Sequence, residues 1–197
     1  MSVSIILAKN KKKEELRQHL LQQRESIPEP EFYGASADII EELKERKEYQ
    51  DAETIHCYVS MNKRREVETR VLIKEMIARG RDVVVPVTNF ESGTLTHIRL
   101  DSYSDLKENK WGVMEPTQGE EVTPEAIDLV IVPMVGGDEQ CNRIGYGEGF
   151  YDRFLKDVDC LKIGLLFDIN IVEQLPTENF DIPLDKIITE KRILTPN

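Results

Sequence analysis

Short apolar segments rich in β-branched residues alternate with amphipathic segments along most of this 197-residue chain. The predicted strands span residues 54–59, 82–87, 94–100, 127–133, 161–167 and 185–189. The predicted helices span residues 9–26, 31–49, 69–79 and 150–155, and Pro28 and Pro30 separate the first two. Nearly continuous apolar strands are typical of parallel sheets that are buried on both faces. We therefore predict an α/β fold: one three-layer domain over residues 1–197, its sheet mostly parallel, with helices on both faces and residues 94–100 as an antiparallel edge strand.

The charge balance excludes several classes of partner. The formal net charge is -11, and an acidic field repels nucleic acid and anionic membrane surfaces. No apolar run approaches the roughly 20 residues of a membrane span. Residues 2–8 are too short for a signal peptide, and the lysines follow this apolar run instead of preceding it. We expect a cytoplasmic protein that binds neither nucleic acid nor membrane.

Three glycines at alternate positions follow the predicted strand 127–133 and precede the helix that begins at Phe150. They are Gly145, Gly147 and Gly149. Glycine allows positive φ and a close approach of the backbone to a ligand, and a helix N-terminus favours an anion. Arg143 and Arg153 flank the run with guanidinium groups suited to phosphate. A tight surface turn is the alternative interpretation, but the flanking arginines favour a nucleotide site.

Candidate site residues follow several predicted strands at the sheet edge where ligands bind in α/β proteins. They are residues 60–68, Pro86 and Thr88, the glycine run, and Asp168 with Asn170. This order predicts one cleft that a nucleotide shares with a second substrate.

The cysteines and histidines indicate no metal or disulfide site. Cys57, Cys141 and Cys160 have no CxxC spacing and cannot all pair within one chain. The three histidines lie in unrelated segments, so we expect them to be structural or exposed.

A set of short motifs in a fixed order resembles the 5-formyltetrahydrofolate cyclo-ligase family, also called 5,10-methenyltetrahydrofolate synthetases. The motifs are residues 58–60 (YVS), 66–69 (EVET), 115–116 (EP), 132–133 (VP), 142–152 (NRIGYGEGFYD) and 181–185 (DIPLD). The glycine-run motif is specific and the shorter ones are weak alone. The resemblance implies conversion of 5-formyltetrahydrofolate, a reduced folate, to 5,10-methenyltetrahydrofolate with consumption of ATP and Mg²⁺.

The resemblance also implies roles for individual residues. Implied ATP contacts are Lys13 and Arg17, then Arg143, Ile144, Gly145, Tyr146, Gly147, Glu148, Gly149, Phe150 and Tyr151, with Arg143 and Tyr151 as catalytic residues. Implied folate contacts are Val59, Glu66, Tyr146, Gly147, Glu148, Gly149 and Phe150. Implied metal ligands are Asp152 and Asp181.

The chain departs from the family pattern just before the glycine run. Gly137 stands where the family usually has Phe, and Cys141 stands where it usually has Gly. These departures leave open a nucleotide-binding regulatory module without turnover. A separate alternative, based on the same style of sheet, is an enzyme similar to phosphosugar isomerases that binds a sugar phosphate at the glycine run.

Overall fold

The structure, a computed structural model, describes residues 3–196 and the side chains of residues 11–196. The helices are α1 (Val3–Glu25), α2 (Glu29–Lys44), α3 (Lys47–Asp51), α4 (Arg70–Ala78) and α5 (Phe150–Leu155). The strands are β1 (Thr54–Cys57), β2 (Asp82–Asn89), β3 (Thr94–Arg99), β4 (Leu106–Glu108), β5 (Met114–Pro116), β6 (Leu129–Pro133), β7 (Gly136–Asp138), β8 (Arg143–Ile144), β9 (Leu161–Leu165), β10 (Ile171–Val172), β11 (Lys186–Ile188) and β12 (Ile193–Leu194).

Within this described part, the main sheet has the strand order β12-β11-β9-β6-β1-β2-β3. The neighbours from β11 to β2 pair in parallel, whereas β12 and β3 run antiparallel at the two edges. In the centre, Ile55 of β1 lies opposite Val83 of β2 and Leu129 of β6. The predictions of a mostly parallel α/β sheet and of an antiparallel edge strand at residues 94–100 are therefore confirmed.

Alternate residues of the central strands face opposite layers. Ile55 and Cys57 of β1 lie in a core that also contains buried residues of α2, α3 and α4. His56, between them, faces Phe154 of α5 on the other side, with ring centroids 4.7 Å apart. Both layers consist largely of buried apolar side chains, and each fully buried Leu, Ile or Val contributes about 1.5–3 kcal/mol to folding.

The prediction of one helix over residues 31–49 is wrong. Helix α2 ends at Lys44, Arg46 has extended dihedral angles (φ -74°, ψ 134°), and α3 begins at Lys47. The break lets Tyr49 enter the core, where it is 2% exposed and its carbonyl accepts a hydrogen bond from Arg81. Pro30 does not separate the helices, because it lies in the first turn of α2, where a missing N–H costs nothing.

A hairpin separates β6 from the glycine run, which the sequence did not predict. Strands β7 and β8 form it, and β10 joins β7 in parallel to make a small second sheet. The Asp138 carboxylate closes the turn by accepting hydrogen bonds from the backbone N–H groups of Gln140 and Asn142, at 3.0 and 2.9 Å. Leu20 and Leu21 of α1 pack against this hairpin.

The hairpin accommodates both departures from the family pattern. Cys141 adopts a left-handed conformation (φ 57°), which glycine adopts most easily. At Gly137, a Cβ atom would lie 2.8 Å from Ile187 and 2.9 Å from Met134, so neighbouring side chains already fill the space beside it. Within residues 3–196, none of the helices is both long and apolar enough to cross a membrane.

The filled space beside Gly137 leads to a stability prediction. We expect Gly137→Ala to lower the free energy of unfolding by about 1–3 kcal/mol, because Ile187 and Met134 are buried and must move. The matched control is Gly34→Ala in α2, where a Cβ meets nothing within 4 Å and alanine favours the helix by about 0.5–1 kcal/mol. Urea unfolding of both variants measures the difference. Equal stability of the two variants would contradict the packing at Gly137.

Candidate active site at the glycine loop

Residues 145–149, here called the glycine loop, connect β8 to α5, and each glycine faces a different arginine. A Cβ atom built on Gly145, Gly147 or Gly149 would lie 3.0 Å from Arg143, 3.3 Å from Arg17 or 3.0 Å from Arg153, respectively. Gly147 and Gly149 also have positive φ angles, of 106° and 70°. Three guanidinium groups therefore lie against the backbone at the glycine positions of the loop. This arrangement suits an anion with several oxygens, such as a polyphosphate.

Helix α1 supplies cations to this loop from one of its faces. Lys13 and Arg17 are four residues apart and so lie on the same side of the helix. The Arg17 Nε donates a 2.8 Å hydrogen bond to the Gly145 carbonyl, and its guanidinium also pairs with Glu14. The Lys13 ammonium donates to both oxygens of Asp181, at 2.6 and 2.8 Å. Of the predicted nucleotide contacts of α1, Arg17 thus touches the loop, whereas Lys13 is paired with Asp181.

On the other side of the glycine loop, Arg153 binds two carbonyl groups. Its Nε donates to the Gly93 carbonyl at 2.6 Å and its Nη2 donates to the Glu148 carbonyl at 2.8 Å. Gly93 lies in the turn between β2 and β3, so Arg153 links that turn to the loop. Glu148 itself is exposed to solvent.

The segments that carry the two predicted metal ligands, Asp152 and Asp181, are in contact in the fold. The backbone N–H of Ile182, next to Asp181, donates to the Asp152 carboxylate at 3.3 Å. Asp152 also forms a 2.7 Å ion pair with Arg143, and Asp181 forms a 2.6 Å ion pair with Lys13. No group of three or more His, Cys, Asp and Glu side chains suited to a metal occurs in the described part of the chain. A pair of carboxylates is compatible with Mg²⁺, which usually keeps waters and takes phosphate oxygens as further ligands.

Glu66, from the segment after β1, meets the glycine loop in a buried network. Its carboxylate accepts hydrogen bonds from the Tyr146 hydroxyl at 2.7 Å and from the Met61 N–H at 2.6 Å. Arg24 of α1 donates to the same Tyr146 hydroxyl at 2.7 Å. Burial raises the pKa of Glu66, and the Arg24 charge opposes this rise. The predicted convergence of the segment after β1 with the glycine run is therefore present.

The amino-acid sequence matches known proteins over nearly the whole chain. The model of the 5-formyltetrahydrofolate cyclo-ligase family matches residues 9–190. The chain belongs to this family. A 5-formyltetrahydrofolate cyclo-ligase of Mus musculus is 28% identical over 194 residues, covering 92% of this chain and 95% of the mouse protein. One from Escherichia coli K12 is 33% identical over 148 residues, covering 72% and 80%.

Solved structures agree with this membership. The NMR structure of Aquifex aeolicus 5,10-methenyltetrahydrofolate synthetase is 33% identical and superposes with a TM-score of 0.83, covering 93% of this chain and 92% of that one. A synthetase of the same name from Mycoplasma pneumoniae is 21% identical with a TM-score of 0.73, covering 90% and 98%, and supports the fold. The predicted family and fold class are confirmed.

Not every residue predicted from the cyclo-ligase resemblance is at the surface of the site. Val59 is 6% exposed and Ile144 is 1% exposed, so both side chains lie in the core. The Tyr151 ring centroid lies 5.9 Å from the Arg143 guanidinium, and burial raises the pKa of its hydroxyl. The roles assigned to these residues stay predictions.

Asp168 and Asn170, which follow β9, have other partners. Asp168 pairs with Arg192 at 2.8 Å, near the C-terminal strand β12. Asn170 is fully buried, and its amide donates to the carbonyls of Leu20 and Val135 at 2.8 Å each. Asn170 therefore joins α1 to the hairpin, and sequence order alone did not reveal that structural role.

Sequence reasoning missed two features of the cyclo-ligase site. The first is Arg24, whose spacing of seven from Arg17 places it on the same face of α1, a signal that was available. The second is an aromatic cluster of Phe90, Trp111 and Phe150, with ring centroids 4.8 Å (Phe90–Trp111) and 5.5 Å (Phe90–Phe150) apart. Its members come from three separate segments and share no pattern. Phe90 and Trp111 are 45% and 57% exposed, so the cluster offers aromatic surface beside the glycine loop.

A buried pair of histidines underlies α5. The His56 and His97 ring centroids are 5.2 Å apart, and His97 lies 4.0 Å from the Phe154 ring. Burial lowers the pKa of His97 to about 4, and the pKa of His56 is lowered by burial and by His97. Both histidines are structural, as predicted, and the short helix after the glycine loop rests on them.

This pair leads to a prediction about acid stability. Between pH 6.5 and about 4 the unfolded chain binds a proton at His97 that the folded chain does not. The contribution of His97 to the free energy of unfolding is therefore fully present above pH 6.5 and is lost as the pH falls toward 4. We expect His97→Phe to remove about 1–3 kcal/mol of the pH-dependent loss. The control His19→Gln changes an exposed histidine of α1 and should keep the wild-type slope. Unfolding measured across this window tests the expectation; identical slopes for wild type and His97→Phe would contradict it.

Proposed function

We propose that this protein converts 5-formyltetrahydrofolate to 5,10-methenyltetrahydrofolate with ATP and Mg²⁺, releasing ADP and phosphate. The observation that carries the proposal is the glycine loop itself. Three arginines surround its glycines, and its Tyr146 is hydrogen-bonded to the buried Glu66. Tyr146 therefore connects the loop proposed to bind polyphosphate to the carboxylate proposed to bind the second substrate. The names of the relatives from mouse and E. coli support the same activity.

The reaction needs activation of a poor electrophile. The nitrogen lone pair of the formamide is delocalised into its carbonyl, so the formyl carbon resists attack. Transfer of the γ-phosphoryl group to the formyl oxygen releases ADP and makes that oxygen part of a leaving group. The neighbouring folate nitrogen then attacks the formyl carbon, the ring closes, and phosphate departs with the oxygen. The protein's task is alignment and charge stabilisation, with no covalent enzyme intermediate.

The cations around the glycine loop suit this task. Arg17, Arg143 and Arg153 present guanidinium groups to the loop, and Lys13 adds an ammonium from the same face of α1. Charge-assisted hydrogen bonds from such groups orient phosphate oxygens and stabilise the negative charge that spreads over them during transfer. We assign Arg143 and Tyr151 to the reacting phosphoryl group, because the Tyr151 ring and Asp152 hold the Arg143 guanidinium in place.

The folate would lie against the other side of the loop. The Glu66 carboxylate is an acceptor for pterin N–H groups, and each of its oxygens uses one hydrogen bond within the protein, which leaves further acceptor capacity. Phe150 belongs to the exposed aromatic cluster, which offers stacking surface for the conjugated rings of a folate. Val59 would act through packing beneath the substrate.

Asp152 and Asp181 fit a magnesium ion in number and chemistry, since Mg²⁺ takes one or two carboxylates together with phosphate oxygens. Bound there, the ion would neutralise phosphate charge that this acidic chain otherwise repels. Lys13 and Arg143, which pair with these carboxylates, are also two of the cations proposed to contact phosphate. These two ion pairs therefore connect the metal ligands to the nucleotide contacts.

The alternatives have less support. A regulatory module without turnover was suggested by Gly137 and Cys141, but the hairpin that carries both residues keeps its pairing and its turn. An isomerase-like enzyme would not require the hydrogen bond that connects the glycine loop to the buried Glu66. We further propose that the protein acts in the cytoplasm on a small molecule, with neither nucleic acid nor membrane as a partner.

An absorbance assay tests the proposed function. Incubation with 5-formyltetrahydrofolate, ATP and Mg²⁺ should produce the methenyl chromophore together with ADP, and omission of ATP should abolish both. The variant Arg143→Ala, purified in the same way, should lose activity by about 1.5–3 kcal/mol in kcat/KM, the usual cost of a lost charge-assisted hydrogen bond. Absence of the chromophore with wild-type protein would refute the proposal. ATP binding without product would favour the regulatory module.

The metal assignment makes a separate prediction. We expect Asp152→Asn and Asp181→Asn to raise the Mg²⁺ concentration needed for half-maximal turnover by about tenfold, because each loses one anionic ligand. A matched control is Asp168→Asn, since that carboxylate pairs with Arg192, away from the loop. Thermal melts distinguish a lost ligand from a lost structural contact. An unchanged Mg²⁺ titration curve in both site variants would leave the metal assignment without support.

A further inference from the structure

Arg24 is a charged side chain of α1 with an unusual environment. It is 1% exposed, and among residues 11–196 no carboxylate lies within 4 Å of its guanidinium. Its Nη1 donates to the Met134 carbonyl and its Nη2 to the Tyr146 hydroxyl, both at 2.7 Å. Its guanidinium carbon also lies 5.7 Å from the Tyr146 ring centroid. A cation this deeply buried destabilises the fold unless a negative charge is near enough to balance it.

The balancing charge is Glu66, on the far side of the Tyr146 hydroxyl. A guanidinium donates hydrogen bonds and never accepts them, so the phenol oxygen must accept from Arg24. The hydroxyl hydrogen is then directed to Glu66, whose Oε1 lies 2.7 Å away. The order Arg24, Tyr146, Glu66 fixes the direction of both hydrogen bonds. It joins α1, the glycine loop and the segment after β1.

Other groups near Glu66 do not replace this cation. Arg64 also favours the carboxylate, but its side chain is exposed and pairs with Glu25 at 3.3 Å, where solvent screens it. Tyr58 and Tyr151 are buried phenols whose own pKa values are raised, so they stay neutral. Burial favours the protonated form of Glu66, and the positive charge of Arg24 is the largest influence that favours the ionised form.

We propose that Arg24 is a positioning residue of the folate site, which acts through Tyr146 to keep Glu66 ionised and to hold the glycine loop against it. This inference rests on the proposed function. An ionised Glu66 accepts hydrogen bonds from the N–H groups of the substrate. A protonated Glu66 carries an O–H group of its own, which these N–H groups cannot accept a hydrogen bond from. Arg24 therefore contributes to substrate binding without touching the substrate. A packing role alone would change stability and leave the pH dependence as it was.

The test compares the pH profiles of kcat/KM for 5-formyltetrahydrofolate. Arg24→Gln keeps a hydrogen-bond donor and removes the charge, so the acidic limb should move up by about one pH unit; the loss should reach about tenfold at the acidic end of the profile and recover as the pH rises. Arg24→Lys keeps the charge and should lie closer to wild type. The matched control is Arg81→Gln: Arg81 also donates to a backbone carbonyl and lies over a tyrosine ring, at 4.5 Å from Tyr49, but it faces no site residue. That control should keep the wild-type profile.

Tyr146→Phe tests whether the effect passes through the hydroxyl, and it serves equally if Arg24→Gln does not fold. It should shift the acidic limb in the same direction. The double variant should then behave like either single variant, because both remove one chain of hydrogen bonds. Additive losses, or an unmoved acidic limb in both single variants, would overturn the inference. Failure of wild-type protein to turn over the substrate would instead refute the proposed function, so the two failures are distinguishable.

Discussion

The candidate site depends on how one face of α1 docks against the rest of the molecule. Lys13, Arg17 and Arg24 lie at spacings of four and seven, so a single helix orientation delivers all three cations. Two kinds of contact fix that orientation. Leu20 packs against the small hairpin, and Asn170 donates a hydrogen bond to the Leu20 carbonyl within the helix. An error in this docking would displace Lys13, Arg17 and Arg24 from their partners together.

The candidate site also has the local charges by which an acidic chain would accommodate the proposed anionic ligand. The formal net charge of -11 gives a repulsive field at long range, whereas the glycine loop is surrounded by positive groups at short range. Carboxylates accompany those cations in pairs, as Asp152 does with Arg143 and Asp181 with Lys13. Such pairing keeps the arginines and lysine ordered without giving the site a large net charge.

Much of the fold could be predicted from the sequence because its determinants are local. The strands were found from their β-branched runs, and the edge strand from its alternation. The break at Arg46 has no glycine or proline to mark it, since it arises from the burial of Tyr49 in the core. The hairpin strands β7 and β8 are too short to show a period, so they could not be predicted from one.

The same distinction applies to the site. The glycine loop, Arg143 and Arg153 were predicted from the residues because they lie in one stretch of sequence with recognisable spacing. Phe90 and Trp111 approach Phe150 only after β2, β3 and the segment before β5 have paired, and no local pattern records that approach. Arg24 could have been noticed from its helical spacing, but its link to Glu66 through Tyr146 exists only in three dimensions.

The contact between Lys13 and Asp181 joins residues 168 positions apart, near opposite ends of the sequence. During synthesis from the N-terminus, α1 is therefore made long before its carboxylate partner. The glycine loop is synthesised after α1 and before residue 181. A ribosome-bound fragment that ends before Asp181 lacks one of the two proposed metal ligands. The proposed nucleotide and metal site is therefore complete only after Asp181 has been added to the chain.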